Sequence, residues 1–189
     1  MEPQNSSQQP LPPGTQLDAY QIQGVLGTGG FGVTYEAIEP ELDRKVAIKE
    51  YFPESFAARQ TDGITLSVRS QGDTESYVWG LTRFLDEART LAKFKNPHIV
   101  RVNRYLEANG TAYLVMDYED GYPLSAVLKK RCVGERSVRK LMVPILKGLK
   151  AVHEQKFLHR DIKPGNIFIR RDDRYFNAWL CAAGAVRRE

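Results

Sequence analysis

Three clusters of residues in this chain have the types and spacing needed to act on a phosphate chain. Gly27-Thr28-Gly29-Gly30-Phe31-Gly32-Val33 is a glycine-rich turn, and glycines let backbone amides approach anionic oxygens without interference from a Cβ. Val46-Ala47-Ile48-Lys49 has the alternation of a strand. It places Ala47 and Lys49 on one face, a small residue that admits a flat base and an ammonium further along for phosphates. His159-Arg160-Asp161-Ile162-Lys163-Pro164-Gly165-Asn166 is the richest cluster. Phosphoryl transfer to a hydroxyl needs a carboxylate to take the proton and align the oxygen, a role open to Asp161. Lys163 can neutralise charge on the moving group, and Asn166 offers an amide oxygen to a hard cation such as Mg²⁺. His159 is assigned a structural role.

Each cluster has an ordinary explanation when taken alone: a tight turn, a solvated lysine, a polar loop. Their order argues otherwise. A dinucleotide-binding loop runs into a helix whose N-terminus holds the pyrophosphate, whereas these glycines run into Val33-Thr34-Tyr35, a strand sequence. The Gly-Lys-Ser/Thr ending of a Walker loop is absent. A strand–glycine turn–strand hairpin remains.

The surrounding elements must hold these groups in place. Residues 20–26 and 33–38 read as the two strands of that hairpin, and Lys45–Lys49 as a third. Residues 51–80 form a polar connection with a small hairpin near Asp62-Gly63. A helix over 76–95 follows, with Phe84, Ala88 and Leu91 on one face. Glu87 falls within that face, and an inward carboxylate needs a cation; Lys49 is the expected partner, against an exposed pairing with Arg83. Ile99–Tyr105 and Thr111–Met116 are two further strands around Asn109-Gly110. A helix over Ser137–Gln155 carries Val138, Leu141, Ile145, Leu149 and Val152, with Pro144 inside it. The pattern predicts an α+β arrangement of two lobes.

The 189 residues are 42% hydrophobic and 26% charged, with net charge +4, the composition of an ordinary globular protein. No Lys/Arg stripe with interleaved aromatics argues for nucleic acid. Cys132 and Cys181 lie far apart, which fits reduced thiols in a cytoplasmic setting. Met1-Glu2-Pro3-Gln4 lacks a basic region and no apolar run follows, so no signal peptide is expected, and no apolar run reaches bilayer length. The Pro- and Gln-rich residues 1–16 are expected to be a disordered leader.

From Tyr20 to Asn166 the chain resembles the bacterial, eukaryotic-like (Hanks-type) serine/threonine protein kinases, on the glycine turn, Val46–Lys49 and His159–Asn166. The resemblance implies a five-stranded antiparallel N-lobe with one main helix over residues 17–119 and a partial, mostly helical C-lobe over 120–189. It implies ATP and Mg²⁺ as cofactors and a protein substrate. Asp161, Lys163, Lys49 and Glu87 would carry catalysis. Leu26, Gly27, Gly29, Gly30, Gly32, Val33, Ala47, Lys49 and Phe168 would hold the nucleotide, with Met116 as gatekeeper, Asp117 to Glu119 as hinge and Asn166 as metal ligand. Lys163 after Asp161 suggests Ser/Thr acceptors, and the long 50–80 connection is similar to a bacterial subgroup.

Two departures accompany the resemblance. Where the family places Asp-Phe-Gly, the best alignment here gives Ala182-Ala183-Gly184, and alanine cannot hold a metal. Later large-lobe elements do not follow, so the chain reads as truncated, and the stripe with Leu141, Ile145 and Leu149 is expected to be partly exposed and to need a partner. The expectation is an ATP-binding kinase domain with weak turnover. The alternatives are a nucleotide-binding pseudokinase or scaffold module and an inactive gene fragment; an NAD-binding module is disfavoured.

Overall fold

The computed structural model describes residues 9–130, 132–159, 162–170, 178–180 and 186–187, the last two stretches by backbone alone. Residues 1–8, Asp161, Cys181 and Ala182 to Gly184 lie outside the described residues. The chain divides into two compact units. Met1–Ala88 with Asn103–Tyr118 forms the first, and Arg89–Val102 with Glu119–Glu189 the second.

The first unit is built on an antiparallel sheet. Its strands are β1 (Gln16–Leu17), β2 (Tyr20–Gly29), β3 (Gly32–Glu39) and β4 (Arg44–Tyr51). A small hairpin of β5 (Ala57–Arg59) and β6 (Leu66–Val68) and the helix α1 (Thr74–Leu91) come before β7 (Val102–Ala108) and β8 (Thr111–Asp117). The main sheet runs β1-β2-β3-β4-β8-β7, six strands rather than the expected five. The additional strand comes from the segment expected to be disordered. Leu17 pairs with Tyr20, and Leu11 and Leu17 are buried, Leu11 at 1% exposure. For residues 9–16 the expected disorder therefore does not hold. Average composition hides two apolar anchors spaced along a polar stretch.

The β7–β8 turn is Asn109-Gly110, with φ of 52° and 72°, the left-handed pair that a tight hairpin requires. A Cβ on Gly110 would also overlap the Leu66 carbonyl. The β5–β6 turn is fixed by Asp62, whose Oδ1 accepts the amides of Ile64 and Thr65 at 2.8 and 2.9 Å. Helix α1 packs on the sheet through Tyr51, whose ring lies 5.4 Å from Tyr77 and 5.6 Å from Phe84. That aromatic stack orients Phe84, and with it the helix face that carries Glu87.

The second unit holds β9 (Gly121–Pro123), α2 (Leu124–Lys130), α3 (Glu135–Glu154), β10 (Phe157–Leu158), β11 (Ile167–Arg170), β12 (Ala178–Leu180) and β13 (Val186–Arg187). Strand β11 is flanked by β12 and β9, so this part has more sheet than the mostly helical expectation. Pro144 lies buried inside α3, a helix of 20 residues that continues past it to Glu154; packing outweighs the lost hydrogen bond. Leu141 and Ile145 are buried with Leu124 and Ile167, and Leu149 packs beside them. Leu141 and Ile145 thus depart from the expected exposure of that stripe, while Leu149 is only partly buried and Val138 is exposed. Val138, Met142, Val143 and Leu146 are the exposed apolar residues on α3, because the helix is apolar over a wider arc than a single stripe.

Candidate functional site

In the first unit, strand β4 sorts its side chains by parity. Val46, Ile48 and Glu50 are buried, while Ala47 and Lys49 are half-buried on the other face. On the flanking strands, Glu36 pairs with Ala47 and Thr34 with Lys49, and Met116 pairs with Ala47 and Leu114 with Lys49. Paired residues in an antiparallel ladder share a face. One face therefore gathers Thr34, Ala47, Lys49 and Met116, with Met116 largely buried. Val33 pairs with Glu50 and is wholly buried on the opposite face. The sequence reading placed Val33 with Ala47 and Lys49; the structure puts Thr34 there. Counting alternate residues back across the pairing would have found it, but the register is not visible in the sequence.

The glycine turn caps this face. Gly29 pairs with Gly32, leaving Gly30-Phe31 at the tip; Leu26 is about half exposed and Phe31 is 75% exposed. Open space surrounds Gly27, Gly29 and Gly30, whereas a Cβ on Gly32 would overlap the Glu50 carbonyl oxygen. The first three leave room for a ligand, and Gly32 is required by the fold. Irregular register between Val25 and Gly27 leaves Leu26 out of the ladder.

The Lys49 ammonium stands 5.8 Å from the Phe84 ring centroid. Glu87 is half-buried further along the same helix. Asp117 accepts a hydrogen bond from Asn103 Nδ2 at 2.9 Å, and the Lys45 ammonium lies over the Tyr118 ring at 5.5 Å. The division between units falls between Tyr118 and Glu119, inside the expected hinge.

Glu50 was missed by the sequence reading, although it shares the buried parity of Val46 and Ile48. Its carboxylate is fully buried. It accepts hydrogen bonds from Tyr35 Oη at 2.6 Å, Tyr113 Oη at 3.0 Å and Arg59 Nη2 at 2.6 Å. Burial, then the Glu50 charge, pushes both phenols well above the ordinary tyrosine value. Burial works against the Arg59 charge, but the Glu50 hydrogen bond and charge outweigh it and raise its pKa.

In the second unit, Glu119 Oε2 accepts from Arg170 Nε at 2.8 Å, which ties Glu119 to β11. Lys163 is exposed, and its carbonyl accepts the Asn166 amide at 2.9 Å. That turn presents Asn166 at the start of β11. His159 is buried at 4% exposure, in keeping with its structural role. Phe168 is half-buried and pairs with Pro123. Among the described residues no cluster of three or more His, Cys, Asp or Glu could hold a metal, and no helix is long and apolar enough to cross a membrane.

Comparison with known proteins supplies the context. The family model described as "Protein kinase domain" matches residues 20–177. Serine/threonine-protein kinase PknA of Mycobacterium tuberculosis is 35% identical over 158 residues, covering 79% of this chain and 32% of that protein. Serine/threonine-protein kinase B of Synechocystis is 34% identical, covering 90% of this chain and 27% of that protein. The solved structure "PpkA-294 apo form" superposes with a TM-score of 0.87 at 34% identity, covering 92% of this chain and 61% of that one. The chain thus spans about a third or less of the curated relatives it matches.

Proposed function

The chain belongs to the protein kinase domain family, and from that premise we propose that it binds ATP as a serine/threonine kinase domain with weak phosphotransfer. The observation that carries this reading is the single face of Thr34, Ala47, Lys49 and Met116 beside a glycine turn with open space at Gly27, Gly29 and Gly30. The residues present there fit a nucleoside triphosphate. They fit Mg²⁺ less well: Asn166 supplies one oxygen, and the sequence has Ala182 where a carboxylate is expected. No step is therefore routed through a metal.

Roles follow unit by unit. In the first, Ala47 and Thr34 admit the base against Leu26, and Met116 closes the inner end. Lys49 neutralises phosphate oxygens, and Glu87 on helix α1 is its proposed ion-pair partner. Amides of Gly27, Gly29 and Gly30 face the phosphates. Asp117 supplies a hinge carbonyl on the first unit, and Glu119 is the corresponding residue of the second. In the second unit, Phe168 offers apolar surface, Asp161 accepts the proton of the acceptor hydroxyl, Lys163 offsets charge on the transferred group, and Asn166 offers its amide oxygen. The acceptor is a Ser or Thr hydroxyl of a protein, and the exposed Val138–Met142–Leu146 row of α3 is where a protein partner would rest. Two cysteines with no C-x-x-C spacing support a cytoplasmic setting.

Nucleotide at about a hundredfold excess over Kd should stabilise the fold by about 2.7 kcal/mol, a rise of several degrees in Tm. Lys49→Met should remove most of that rise. A wild-type Tm that does not respond to ATP would refute the reading. A shift that is the same with and without Mg²⁺ would favour the second reading, a pseudokinase module, which Ala182 supports. Radiolabel transfer to a generic protein substrate that is equal in wild type and Asp161→Asn would remove the enzymatic claim.

A further inference from the structure

We propose that Glu50 is a positioning residue of the nucleotide face, holding Lys49 and the glycine turn in place from behind the sheet. The proposal rests on the nucleotide reading above. Glu50 is the chain neighbour of Lys49 and points the opposite way. Its three hydrogen bonds reach the strand on one side through Tyr35, the strand on the other through Tyr113, and the β5 hairpin through Arg59. Side chains therefore clamp β4 where the lysine leaves it, in addition to the backbone ladder.

The same residue supports the turn. Its carbonyl oxygen occupies the space that a side chain at Gly32 would need. Arg59 lies over the Phe52 ring at 5.0 Å, and the Phe52 amide donates to the Phe31 carbonyl at the tip of the turn at 3.1 Å. Arg59 is held in turn by the carbonyls of Gln9 and Ile64 at 2.6 and 2.7 Å, and the Leu11 amide donates to Tyr35 Oη at 3.0 Å. Lys49 is thus next to Glu50 in the strand, and the turn is joined to its carboxylate through Arg59 and Phe52 while Gly32 rests against its main-chain carbonyl.

Stability alone does not account for this arrangement. The Arg59 and Glu50 side chains are 1% and 0% exposed, and a buried ion pair is often replaced by apolar residues without loss of stability. What an apolar pair would lack is a set of directed bonds fixing three strands and a hairpin relative to each other.

The test uses the full chain with Tyr113→Phe, which removes one bond to Glu50, and Glu50→Gln, which removes the charge. Tyr77→Phe is the comparator: it loses the bond from Tyr77 Oη to the Gly110 carbonyl at 2.7 Å, and that hydroxyl donates no hydrogen bond to Glu50. Tm, affinity for an ATP analogue and amide hydrogen exchange of the unliganded proteins are measured together. The expected result for Tyr113→Phe and Glu50→Gln is affinity on the order of tenfold weaker, with faster exchange confined to segments 29–34 and 46–52. Tyr77→Phe should retain wild-type affinity. Unchanged exchange in those segments, or equal affinity losses in all three variants, would overturn the proposal. If wild type binds no nucleotide, the nucleotide reading fails and the exchange pattern alone decides whether Glu50 positions the two segments. Should Glu50→Gln not fold, Tyr113→Phe decides alone.

Discussion

At the residue scale, the glycines of one turn divide into two kinds that the sequence does not distinguish. Gly32 is pressed against the Glu50 carbonyl, while Gly29 faces open space. Gly32→Ala should cost about 1–3 kcal/mol through forced backbone movement, read in a urea titration. Gly29→Ala should stay within about 0.5 kcal/mol in stability and weaken nucleotide binding. Equal stability losses would mean that the turn is merely structural. The residue types at Lys49, Ala47 and Asn166 were legible because their chemistry is specific and their order is fixed. The exchange of Val33 for Thr34 was not, because it depends on which residue of β3 faces which residue of β4, a property of pairing rather than of either strand. Glu50 was obscured for another reason: its partner Arg59 lies in a connection with little periodicity.

At the element scale, strands β2, β3, β4, β7 and β8, the small hairpin near Asp62 and both long helices were readable from alternation, turn residues and apolar spacing; β1 and the strands of the second unit were not. The ordered leader was not. Its ties are single contacts: Leu11 in the core, the Gly14 amide to the Ile22 carbonyl at 2.7 Å, and the Ile22 amide to the Thr15 carbonyl at 2.9 Å. Leu11→Ala should lower the unfolding free energy by about 2–4 kcal/mol, measured by denaturant midpoint, whereas an idle leader would show no change. Helix α3 and the side it buries were both legible, since Leu141, Ile145 and Val152 of the apolar stripe are among its buried residues; what covers them was not, because only contact with α2 and β11 supplies it.

At the scale of the whole molecule, the two units should respond to opposite ends of the pH range. His98, in the second unit, has its pKa lowered by burial and by the nearby Lys147 charge. Its contribution is present above the ordinary histidine value of about 6.5 and is lost as pH falls through the folded value. Asp62, in the first unit, is lowered by its hydrogen bonds to Thr65 and Ile64, so its contribution is lost only below the ordinary carboxylate range. Tyr35, Tyr51, Tyr77 and Tyr113, all in the first unit, are raised by burial, Tyr51 to about 12. Their contribution is full below about pH 10 and is lost as pH rises from there through the folded values. Hydrogen exchange across pH should therefore show acid loosening the second unit first, with His98→Gln removing the step near neutrality, and alkali loosening the first. The reverse order would contradict the assigned burial. Adjacent opposite charges on opposite faces of β4 also act as a frame check on folding. A slip of one position against β3 would present a carboxylate to the phosphates and drive an ammonium in beside Arg59, so the mispaired sheet is penalised on both sides at once.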